Sequence, residues 1–189
     1  MNRSLAQRLQ PFSGNIKKYF FNVYVIAILL YAGLTLGMTY PFCLSIDERV
    51  ADYGDALNGI FVLNWIVKNG FNPFTYFDTN IMYPLKLTGA MGELHLPSAI
   101  IYLPVLLATK NPVLSYNLVN LTCFVLCGFG IFLIVRRLTG DSICALMSGV
   151  IFTYFPLKYI HASHFLSFNL QYIFQTSIIQ TGAAPKIAV

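Results

Sequence analysis

SIDERVADYGDALNGIFVLNWIVKNGFNPFTYFDTNIMYPLKLTGAMGE, residues 45–93, decides how this chain is read. It holds six of the seven acidic residues (Asp47, Glu48, Asp52, Asp55, Asp78 and Glu93) and is flanked on both sides by apolar runs. Charge is costly inside hydrocarbon, so carboxylates gathered in one long connection belong on one side of a bilayer. The rest of the chain agrees. Its 189 residues are 57% hydrophobic and 10% charged, with mean hydropathy +0.65, whereas a soluble domain carries about 25% charge. Several runs approach the roughly 20 residues that a helix needs to cross the hydrocarbon core. They are continuous rather than alternating, which excludes a β-barrel. The expected class is an all-α, multi-span integral membrane protein.

Working outward, residues 1–18 are basic and free of acid, and 19–40 form a first span too long for a signal-peptide core. Basic residues ahead of that span put the N-terminus in the cytoplasm, so residues 41–111 form an extracytoplasmic loop. Within it Ala56–Asn69 reads as a helix ending at Gly70, too short to span. Asp55, Asn58, Gly59 and Asn69 share one side, and Asn64 and Lys68 fall roughly opposite. Trp65 suits an interfacial position. Residues 71–92 read as irregular loop, rich in Asn, Pro, Gly and Thr. The segment 93–109 carries Pro97 and Pro104 and is either a kinked span or a second interfacial helix. Val113–Val135 is a span, and Arg136-Arg137 falls in the cytoplasm if 56–109 makes no net crossing. About three spans fill 112–180, and 181–189 is a short tail. The predicted location is therefore the inner (plasma) membrane, with the bilayer itself as a partner.

The net charge of +5 does not indicate nucleic acid. Half of the basic residues sit where membrane topology demands them, with no basic stripe or aromatic platform. The four cysteines form no metal pattern, and Cys123 and Cys127 read as small buried hydrophobes. No phosphate loop, dinucleotide fingerprint or serine-hydrolase elbow is present.

Chemistry falls first to Asp55. A carboxylate at a helix start is favoured by the free N–H groups there, so an ordinary cap and a general base at the membrane rim both fit. It could also hold a divalent cation beside a phosphate. Glu93 is the second such residue. Asp47, Glu48 and Asp52 read as a solvated face. His161 and His164 share a face if that region is helical. They lack a third ligand for zinc, and with Lys158 they would make a cationic patch for a lipid phosphate or plain polar residues at a span end. No metal-ligand set is assigned, and a divalent cation near Asp55 is left open as the cofactor.

Several phrases, taken in order, resemble the N-terminal part of bacterial GT-C type membrane glycosyltransferases. They are Gly54-Asp55 with Trp65, Asn80-Ile81-Met82-Tyr83-Pro84, Glu93, Asn111-Pro112 with Tyr116-Asn117, Arg136-Arg137-Leu138-Thr139-Gly140, and Phe155-Pro156-Leu157-Lys158 with His161 and His164. The resemblance implies a long first outer loop carrying two juxtamembrane helices and a polyprenyl-phosphate-linked sugar as donor. It also implies an acidic active-site residue at Asp55, supported by Glu93. Trp65, Lys158, His161 and His164 would be substrate contacts. Leu94 stands where such proteins often have histidine, and His95 is displaced by one. Such proteins have many more spans, so the expectation is an N-terminal or truncated part, whose own activity stays open. The alternative is a non-catalytic multi-span protein, a scaffold or transporter component. The lack of ionisable residues within 113–135 and 143–155 weakens transport.

Overall fold

The computed structural model describes residues 12–155 apart from 52, 73 and 92–94, with side chains of the first helix from residue 22 on. Every regular element among them is helical. Helix α1 is Phe12–Met38, α2 Asp55–Lys68, α3 Leu96–Thr109, α4 Pro112–Thr139 and α5 Ser142–Thr153, with short 3-10 turns at Phe42–Leu44 and Thr88–Met91. Among the described residues one helix, α4, is both long and apolar enough to cross a membrane. Asn22–Met38, α3 and α5 are shorter apolar helices.

Helix α4 is the spine, and its ends show why. Asn111 accepts from the amides of Val113 and Leu114 at 2.9 and 3.1 Å. Pro112 follows at a position where a missing N–H costs nothing. At the far end Gly140 takes φ +74 and donates its amide to the Arg136 carbonyl, the left-handed ending that glycine accepts most readily. The helix therefore continues past the apolar run 113–135 to Thr139. Asp141 starts α5 at once, accepting from the Ile143 amide at 2.7 Å.

Two clusters divide α4 along its length. Its N-terminal half contributes Tyr116, Val119 and Cys123 to a core shared with α2 (Ala56, Ile60, Leu63, Ile66), α3 (Ala99, Tyr102) and Tyr76 of the intervening loop. Its C-terminal half contributes Phe132 to a core with Ala27 and Tyr31 of α1 and Ala145 of α5. Helix α1 runs antiparallel to α4. Tyr24 meets Phe132 with ring centroids 5.8 Å apart, while Met38 and Thr39 reach the level of Asn117 and Asn120.

Helix α2 packs by the stripe Ala56, Gly59, Ile60, Leu63 and Ile66, a 3.6-residue repeat. Gly59 therefore belongs to the packed face, not to the polar side with Asp55 and Asn58. A Cβ there would stand 2.8 Å from the Tyr116 ring. Asn64 is drawn into the same packing by the Tyr102 hydroxyl, which donates to it at 3.0 Å. Helix α3 continues through Pro104 for 14 residues, roughly 21 Å at the α-helical rise.

In the C-terminal half, polar groups replace apolar fit. The Tyr31 hydroxyl donates to the Leu146 carbonyl at 3.1 Å, and that of Tyr154 to the Tyr31 carbonyl at 2.7 Å. The Thr35 and Tyr154 hydroxyls lie 2.8 Å apart. Room for these rings comes from glycine. A Cβ on Gly149 would overlap the Tyr31 hydroxyl and stand 2.7 Å from the Gly128 carbonyl oxygen. Arg136 closes this end, donating to Ser142 with its guanidinium 5.4 Å from the Tyr24 ring centre.

Candidate functional site

The acidic stretch is tied to the N-terminal half of α4 through side-chain amides. Asn111 Nδ2 donates to the Asp47 carbonyl at 2.9 Å. Asn117, buried at 2% exposure, donates to the carbonyls of Ile46 and Arg49, both at 2.7 Å. Two asparagines six residues apart thus hold residues 46–49 against the helix. The side chains of Asp47 and Glu48 are left exposed. Arg136 and Arg137 lie at the other end of the helix, roughly 35 Å away along its axis at the α-helical rise.

Beside this tether lies a cavity of about 300 Å³, lined by Met38, Thr39, Tyr40, Phe42, Ala51, Asn117, Asn120, Leu121 and Phe124. Its walls come from the end of α1, the start of the acidic stretch and α4. They are mostly apolar, with two amides and no charged side chain. The volume sits at the lower end of the range for small-molecule sites, and the lining suits a neutral, largely apolar group.

Asp55 is the first residue of α2 rather than its cap. Gly54 occupies the cap position and offers no side-chain acceptor. The residue is exposed and sits in the first turn of α2, where a negative charge is favoured. Trp65 sits ten residues on, half-buried and stacked on Phe61 with ring centroids 6.2 Å apart. Its indole N–H is buried without an acceptor, a state that is costly unless an acceptor arrives. Asp55 and Trp65 share α2, and neither lines the cavity. Glu93, Lys158, His161 and His164 lie outside the described residues, as do the proposed spans after residue 155.

Among the described residues, no three His, Cys, Asp or Glu side chains gather as a metal site. Cys123 and Cys127 are buried thiols on α4, as their spacing in an apolar run predicts. Tyr76, at the base of the 71–91 loop, is buried against Phe77, and burial pushes its phenol above the usual range. No family model, curated protein or solved structure matches this chain.

Sequence reasoning missed the two asparagines and the cavity. In the sequence Asn117 stands out only as half of the Tyr116-Asn117 pair. A polar residue inside a long apolar helix, six positions after a capping asparagine, was the available signal.

Proposed function

We propose that this chain is a multi-span inner-membrane protein, and that its Asp55-bearing end handles a lipid-phosphate-linked sugar in the manner of GT-C type glycosyltransferases. The observation that carries this reading is the polarity of α4. The stretch containing most of the acids is bound to one end by Asn111 and Asn117, and the paired arginines close the other. With arginines in the cytoplasm, as the positive-inside rule prefers, the acids face outward. α2 and α3, 14 residues each, are too short to cross a core of about 30 Å and lie as a cap over the outer end. Leu29 and Leu36 of α1 and Ile143, Met147 and Ile151 of α5 stay exposed, and lipid covers them in this reading.

Asp55 would accept the proton of an acceptor hydroxyl as it attacks the sugar's anomeric carbon, with the lipid phosphate leaving. The apolar cavity beside the tether would take part of the lipid chain. Glu93, Lys158, His161 and His164 are proposed contacts on the resemblance alone. Two measurements test the reading. Single cysteines at positions 55 and 137 should label with an impermeant maleimide from opposite faces. Asp55→Asn should lower sugar transfer from a polyprenyl-phosphate donor at least about 100-fold, the lower range for losing a general base, with protein level unchanged. Labelling from one face would remove the outer site. Unchanged transfer would favour the non-catalytic scaffold.

A further inference from the structure

The loop between α2 and α3 carries at its tip an apolar surface that the helix packing does not use. Tyr83 is 87% exposed, Met82 62%, Leu85 61% and Leu87 60%. The loop's base, by contrast, is firmly tied. Gly89 donates its amide to the Phe77 carbonyl at 2.8 Å, Leu87 donates to Asp78 Oδ1 at 2.9 Å, and the Thr79 and Thr88 hydroxyls meet at 2.7 Å. Tyr76 and Phe77 anchor that base in the α2–α3–α4 core. Met82 and Leu87 hold φ of 60° and 59°, a region that residues with a Cβ rarely enter. A slack loop would relax out of both. The ties fix the tip in a shape that displays its side chains outward.

Charge selects what covers them. Lys86 is exposed and is the sole charged residue from 80 to 87. The nearby Asp78 carboxylate is turned onto the Leu87 amide. A cation set among aliphatic and aromatic side chains suits the lipid–water boundary: stems and rings lie among acyl chains while the ammonium meets phosphates. We propose that residues 81–87 form an interfacial anchor that dips into the outer leaflet, with Lys86 on anionic lipid headgroups. This rests on the membrane reading above and adds a contact which that reading does not require.

The test uses the full chain reconstituted in phosphatidylcholine–phosphatidylglycerol vesicles, with the native cysteines replaced by alanine. An environment-sensitive fluorophore is attached at Tyr83→Cys, at Leu29→Cys or at Asn58→Cys. Position 83 should emit blue-shifted and be quenched several-fold more by shallow nitroxide lipids than by aqueous iodide. Position 58 should show the reverse. Lys86→Gln should reduce lipid quenching at 83 to the level seen in pure phosphatidylcholine. Iodide quenching at 83 with lipid quenching at 29 would sink the anchor while leaving the membrane reading intact. Protection at 83 from both quenchers would mean that protein covers the tip, and would also overturn it. No effect of Lys86→Gln would remove the headgroup contact. Loss of lipid quenching at 29 would fell the membrane reading and the anchor together. Should alanine at Cys123 or Cys127 disturb the fold, Tyr83→Trp in a Trp65→Phe background reports the same depth with brominated lipids.

Discussion

The two halves of α4 solve the same packing problem by different means. Toward its N-terminus the helix meets α2 and α3 through an apolar stripe and two tyrosines, with Gly59 yielding to the edge of the Tyr116 ring. Toward its C-terminus it meets α1 and α5 where Gly128 and Gly149 give way to Tyr31, whose hydroxyl finds a backbone carbonyl. Only the second arrangement brings backbones so close that the obstacle to an added Cβ is itself main chain. The first can adjust by moving a side chain. The lesson is that α4 meets α1 and α5 in a fixed junction and meets α2 and α3 in a yielding one.

That contrast can be broken most sharply at Gly149. Gly149→Leu forces α5 away from both Tyr31 and the Gly128 carbonyl and should cost about 3 kcal/mol, the upper range for overpacking, measured by thermal unfolding in detergent. Gly59→Ala should cost about 1 kcal/mol by the same assay, because the Tyr116 ring can shift. An equal loss at the two sites would erase the distinction. Removing the Asn111 cap with Asn111→Ala should cost roughly 1 kcal/mol. Proteolysis should then speed up around residue 47, whose carbonyl loses its amide partner. Tyr31→Phe alone should cost about 0.6 kcal/mol, the scale of a hydrogen bond between apolar helices. In the double change, the penalty of Gly149→Ala should fall, because the overlapping hydroxyl has gone.

Alkali sharpens the comparison from the other side. Burial pushes Tyr102 up to about 12 and raises Tyr76 above its ordinary value of 10.0. The folded state therefore holds both protons more tightly than the unfolded chain does. The stability they contribute is complete below pH 10 and is lost as pH climbs through the folded values. Helical signal and amide protection in α2 and α3 should decline across that window, and Tyr102→Phe should flatten the dependence.

Much of this was written locally. The Gly54-Asp55 start and Asn69-Gly70 end frame α2 to within a residue. Asn111-Pro112 and Gly140-Asp141 mark the ends of α4 and the start of α5. What local pattern could not reveal were contacts between distant residues. Gly59 looks polar on a helical projection because its role depends on Tyr116. Tyr31, Thr35 and Tyr154 attract no notice because their hydroxyls are satisfied across helices, with no periodic trace. Of the candidate site, Asp55 was legible as a helix start. The cavity was not, since its walls come from three separate stretches.

Both amide hydrogens of Asn117 are spent on main-chain carbonyls before α2, so residues 46–49 are geared to the helix rather than hinged upon it. A molecule that tugs on this segment also leans on α4. Over a rod of roughly 42 Å, a lean of about 5° carries the distant tip sideways by about 4 Å. A pull on the acidic end of α4 would thus be felt by Arg137 at the other.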